Sequence, residues 1–108
     1  MSISTISNSI TSIQKELSDL YHKMSLETKK EVDCNTRIGQ IERSITKNTS
    51  ASMLKTKARQ IELYLKELVR VLSDKADINK KMADKRKKLS DATLKLQKEE
   101  STRTKNLY

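Results

Sequence analysis

The chain has 108 residues, with 34% charged, 3% aromatic, a single Gly and no Pro, Phe or Trp. So little turn-forming material excludes a globule of many short strands, and Lys and Glu spread among Leu and Ile suit long helices. The net charge of +9, from 23 basic and 14 acidic residues, attracts polyanions without specifying one.

Cys34 is the only cysteine, so no intramolecular disulfide forms and a reducing compartment is expected. The opening "MSISTISNSITSI" has neither a basic n-region nor a continuous apolar run, unlike a secretory signal. No stretch approaches the roughly 20 apolar residues that cross a bilayer. The expectation is a cytoplasmic protein without membrane contact.

The first element is marked by Ile3, Ile6, Ile10, Ile13, Leu17, Leu20 and Met24, spaced alternately by three and four. The line passes through Glu27 and Glu31 and resumes in phase at Cys34, Ile38, Ile41 and Ile45. This a/d repeat predicts a helix over 3–47. "TKNTSAS" (46–52) is the one cluster of turn and capping residues between periodic segments. It places a turn at 48–51, with Thr49 or Ser50 capping the next helix.

The second repeat runs Leu54, Ala58, Ile61, Leu65, Leu68, Leu72, Lys75, Asn79, Met82, Arg86, Leu89, Thr93 and Leu96. It predicts a helix over 52–100, followed by a frayed tail at 101–108. Folding the chain at the turn pairs Ile45 with Leu54, Ile38 with Ile61 and, outermost, Ile3 with Leu96. The expected fold is all-α: one antiparallel two-helix coiled-coil hairpin over 1–108. Its seam is read as Ile10, Ile13, Leu17, Leu20, Ile38, Ile41, Ile61, Leu65, Leu68, Leu72 and Leu89.

Several layers of this seam are polar. Glu27 faces Leu72, Glu31 faces Leu68, and Lys75, Asn79 and Arg86 interrupt the second line. Glu27 with Lys75, and Glu16 with Arg86, are the expected ion pairs. Polar a and d positions fix register and helix orientation at a cost in stability. A catalytic carboxylate pair at Glu27 and Glu31 is the sharper alternative, but no histidine or second acid pair faces it.

"IELYLKELVRVL" (61–72) carries more apolar surface than one neighbour needs. In the expected phase Tyr64 and Val71 are g positions, Val69 is e and Leu63 is f, so apolar residues take up much of the circumference. A helix apolar on most sides is normally covered on most sides. Leu63, Tyr64, Val69 and Val71 are therefore the expected self-association residues, joining two hairpins in a four-helix dimer.

Signals for chemistry are few. His22 and Cys34 are 12 residues apart on one helix, roughly 18 Å, too far to share a metal ion. Gly39 stands alone within a helix, so there is no phosphate-binding glycine loop. Neither a catalytic residue nor a cofactor is implied. "NKKMADKRKKL" (79–89) is the densest basic run. Lys80, Lys81, Lys85, Arg86, Lys87 and Lys88 are the residues that would contact phosphates in a nucleic-acid-binding alternative. Asp77–Lys81, Asp84–Lys88 and Asp91–Lys95 are placed for i,i+4 pairing, and no aromatics are interleaved to stack on bases. A solvated helix face is the preferred reading of this run.

"RSITKNTS" (43–50), "KARQIE" (57–62) and "KADINKKMADKRKKL" (75–89) resemble a coiled-coil segment at the amino termini of bacterial proteins. There it precedes a toll/interleukin-1-receptor-like (TIR-like) or other effector domain, often in suspected phage-defence proteins. The resemblance implies a helper role, holding effector domains together or coupling them to a sensor. No effector domain is read after Tyr108, so such a domain's enzymatic activity does not carry over. The sequence reading is thus a non-enzymatic oligomerisation or spacer module, with a second copy, an effector domain or a partner protein as its contacts.

Overall fold

The computed structural model describes residues 2–107, and side chains as far as residue 105. The fold is a helical hairpin of two elements, α1 (Ile3–Arg43) and α2 (Ala51–Leu107). No strand occurs among the described residues.

Both helices start at a serine cap, as short hydroxyl side chains favour. The Thr5 amide donates to Ser2 Oγ at 3.1 Å, and the Met53 amide donates to Ser50 Oγ at 3.1 Å. Ser50 is therefore the cap of α2. Thr49 closes the turn instead. Its Oγ1 accepts from the Thr46 amide at 2.8 Å, while the Thr49 amide donates to the Thr46 carbonyl at 3.2 Å.

This local pairing offers the backbone an alternative to helix and ends α1 at Arg43, four residues short of the expected 47. At the new terminus Lys57 reaches over from α2 and donates to the Ser44 carbonyl (3.0 Å) and Oγ (2.8 Å). A cation there satisfies an orphan acceptor and complements the helix dipole. The connection needs no left-handed residue, and none of the described residues has positive φ. At the other end, the tail expected to fray is helical to Leu107.

Packing divides the described residues into two compact units: 2–23 with 78–107, and 24–77. In the first, hereafter the terminal unit, α1 buries Ile6, Leu17 and Leu20 and α2 buries Ile78 and Met82. Ile10, Ile13, Leu89, Ala92 and Leu96 are half-buried beside them. In the second, the turn unit, only Cys34 and Val71 are buried. Ile38, Ile41, Ile61, Tyr64 and Leu68 are half-buried.

The burial pattern corrects the expected seam of α2. Leu65 and Leu72 are 49% and 52% exposed, whereas Val71, expected to bind another chain, is 2% exposed. Tyr64 turns inward with it, half-buried. The reason lies in an ambiguity of the repeat. Ile61, Leu68, Lys75, Met82, Leu89 and Leu96 form a spine of period seven, and a second row three or four residues further on completes an a/d stripe equally well. One choice is Leu65, Leu72, Asn79, Arg86 and Thr93; the other is Tyr64, Val71, Ile78, Lys85 and Ala92. The second buries Ile78 in place of Asn79, and an amide buried without partners is destabilising. Asn79 is exposed and Ile78 is 9% exposed.

Candidate association surface

The rotation of α2 leaves an apolar row without a neighbour. Leu54 (41% exposed), Leu65 (49%), Val69 (69%) and Leu72 (52%) lie in the turn unit. At about 100° per residue they fall within an arc of about 60° on one side of α2. Ala58 and Ala76 fall on the same arc. Ala76 is exposed, as is Ala51 one turn before the row begins. Of eleven large apolar side chains exposed among the described residues, nine belong to this unit: these four, Leu26, Val32, Ile45, Met53 and Leu63. The excess apolar surface read in 61–72 is therefore present, but its membership differs.

Val69 is on the surface as expected. Leu63 is exposed too (58%), yet it lies six residues from Val69, about 120° round the helix. It borders a different open groove, lined by Arg37, Gln40, Gln60, Tyr64 and Glu67.

Charges border both faces. On α2, Lys66 and Glu62 form an exposed i,i+4 pair at 3.5 Å beside the apolar row. Toward α1, Lys75 donates to Glu31 Oε2 at 2.7 Å in a half-buried pair. Glu27, the expected partner of Lys75, instead accepts from Lys30 one turn along α1 at 3.1 Å. Its second oxygen is buried with no hydrogen-bond partner among the described residues. Lys75 reaches only one of the two carboxylates, and the other is left with a local cation.

In the terminal unit, Glu16 pairs with Lys85 rather than with the expected Arg86. The hydrogen bond and charge of Lys85 hold the Glu16 carboxyl below its ordinary value. Lys85 occupies the inward row and Arg86 the next position outward, which explains the exchange. Arg86 donates to Tyr21 Oη at 2.6 Å, with its guanidinium 5.5 Å from the ring centroid.

Lys80, Lys81, Lys87 and Lys88 are exposed. The i,i+4 pairs expected at Asp77–Lys81, Asp84–Lys88 and Asp91–Lys95 do not form among the described residues. Solvated pairs of this kind contribute only about 0.3–0.5 kcal/mol, too little to hold long side chains in place.

No group of three His, Cys, Asp or Glu side chains gathers among the described residues. Cys34 is buried, and desolvation, reinforced by nearby Glu67 and Asp33, pushes its thiol pKa up. A thiol in that state is a small packing residue and a poor nucleophile. No helix of the described residues is long and apolar enough to cross a membrane.

No family model, curated protein or solved structure matches this chain.

Sequence reasoning missed Ile78 as a core residue and missed Leu65 and Leu72 as surface. A signal was present: an isoleucine directly before the polar Asn79 shows that the inward row lies one residue earlier. Neighbouring leucines at 65 and 72 outweighed it in the turn unit.

Proposed function

We propose that this chain is a non-enzymatic oligomerisation and spacer module that self-associates through the exposed row of α2 in its turn unit. One observation carries the reading: nine of the eleven large apolar side chains exposed among the described residues lie in that unit. Four of the nine, Leu54, Leu65, Val69 and Leu72, share one side of α2, and an apolar row on a surface otherwise rich in charge marks an interaction site. A pair of long helices carrying such a surface suits an element that holds other domains together. The resemblance to segments preceding TIR-like or other effector domains agrees with that role in a bacterial defence-type system, with an effector domain or partner protein attached. A cytoplasmic setting accords with the single, free cysteine.

The test is mass in solution by sedimentation equilibrium at micromolar concentration. The unaltered chain sediments as a dimer, and Leu65→Glu with Val69→Glu sediments as a folded monomer. A monomer for the unaltered chain at high micromolar concentration removes the reading. Val71→Glu is unsuitable for this purpose, because Val71 lies in the hairpin core.

A second reading, a basic hairpin that binds nucleic acid non-specifically, is favoured by the charge of the terminal unit. That unit holds 12 basic and 6 acidic residues, against 11 and 8 in the turn unit. Its contacts are Lys80, Lys81, Lys87 and Lys88, with Lys85 partly engaged by Glu16. Duplex binding that weakens steeply with salt supports it, and no binding at low salt eliminates it.

A further inference from the structure

Resting on the self-association reading, we infer that the α2 row is covered by the same row of a second copy, laid antiparallel, with Leu65 beside the twofold axis. The row reads Leu54, Ala58, Leu65, Val69, Leu72 and Ala76, all exposed. Its residues alternate in size about a centre close to Leu65.

Laid antiparallel about Leu65, the row sets large residues against small ones toward its ends and brings Val69 opposite the half-buried Ile61. Leu54 meets Ala76 of the second copy, Ala58 meets Leu72 of the second copy, and Leu65 meets its own equivalent. Side chains interdigitate in this way at the density that protein interiors require. Laid parallel and in register, the row sets Leu54 against Leu54 and Ala58 against Ala58, alternately crowded and hollow. Crowding and voids are both destabilising.

Charge gives the same answer independently. Glu62 and Lys66 border the row and are 65% and 72% exposed. The antiparallel arrangement places Glu62 across from Lys66 of the second copy, twice over by symmetry. Lys55 and Asp77 are brought together at each end of the same border. A parallel twofold arrangement turns this border toward the opposite flank of the second copy and leaves Glu62 and Lys66 without each other across the interface. Both members of each favourable pair lie within the turn unit, so the interface requires no other part of the chain.

Thiol cross-linking tests the arrangement. In a Cys34→Ala background, Leu65→Cys cross-links to itself in high yield under mild oxidation at the concentration where the chain is dimeric. Leu54→Cys alone does not, whereas an equimolar mixture of Leu54→Cys and Ala76→Cys gives at least tenfold more covalent dimer than either variant alone. Efficient self-cross-linking of Leu54→Cys shows a parallel dimer and overturns the inference while leaving self-association intact. A dimeric chain that cross-links at none of these positions uses another surface and overturns it as well. A monomeric unaltered chain, seen by sedimentation without any cross-linker, fails the underlying reading itself.

Discussion

The two units of the hairpin solve the same packing problem with opposite results. The terminal unit buries five apolar residues, Ile6, Leu17, Leu20, Ile78 and Met82, and leaves only Tyr21 and Leu94 exposed among the large ones described. The turn unit buries two, Cys34 and Val71, and exposes nine. Yet the turn unit contains the more hydrophobic sequence. Apolar content therefore does not by itself make a core; what counts is which face carries it and what stands opposite. In the turn unit α1 offers Glu27, Glu31 and the small Cys34, and α2 directs Leu65 and Leu72 elsewhere. The poorly filled half is also the half with surface to spare for another chain.

The sharpest way to break this comparison is at the row choice in the terminal unit. Ile78→Asn is expected to destabilise the hairpin by about 3 kcal/mol, combining lost burial with an unsatisfied amide. Asn79→Ile is expected to change it by less than about 0.5 kcal/mol. Urea unfolding monitored by circular dichroism measures both, and the reverse ranking returns Asn79 to the seam.

Next in size is the contrast between leucines of the two units. Leu20→Ala, at a side chain 8% exposed, is expected to cost about 2–4 kcal/mol. Leu72→Ala, 52% exposed, is expected to cost under about 0.5 kcal/mol when unfolding is followed at a dilution where the chain is monomeric. Equal losses at the two positions would mean that the units are filled alike.

Gly39 sharpens the comparison from within the turn unit. It lies inside α1, half-buried, and a Cβ there would meet Arg43 Nη1 at 3.2 Å. That neighbour is the end of a flexible side chain and can yield by a few tenths of an ångström. Gly39→Ala is therefore expected to stabilise the hairpin by about 0.5–1 kcal/mol, read as a rise in the midpoint of thermal unfolding.

The smallest effect is electrostatic. The Glu16 carboxyl is lowered from 4.5 by Lys85. A group whose folded pKa is depressed contributes stability above its unfolded pKa and loses it as pH falls through the folded value. Stability therefore declines on acidification below about 4.5, and Glu16→Gln removes that part of the decline. Because the pair is solvated, the difference is small and shrinks further at high salt. A pH titration of unfolding midpoints for the two proteins at low salt resolves it.

Much of the architecture is legible in the residues alone. The line from Ile3 to Ile41 on α1 is buried or half-buried at every position, because the neighbouring rows of the same period are polar and offer no competing inward face. The location of the turn and a cap at Thr49 or Ser50 are legible because hydroxyl side chains cluster at only one place between the helices, and the structure selects Ser50. The association surface is legible in position but not in composition. The pattern points to Val69 and the general excess over 61–72, but it assigns Val71 and Tyr64 outward and Leu65 and Leu72 inward. Ion-pair partners are the least legible. Lys75 reaches Glu31 and Lys85 reaches Glu16, because a shift of one residue in the row changes which cation faces which acid.

By itself the sequence determined two long helices, a break near their middle and the inward face of the first. Local propensity, capping and a seven-residue period act within one segment and need no partner to be expressed. Only the tertiary structure decided which of two overlapping rows on α2 faces inward. Both satisfy the same period, and the choice depends on the summed cost of what each would bury along the whole helix. The row with Val71 and Ile78 faces inward, and the leucines left outside become the surface that a second molecule can cover.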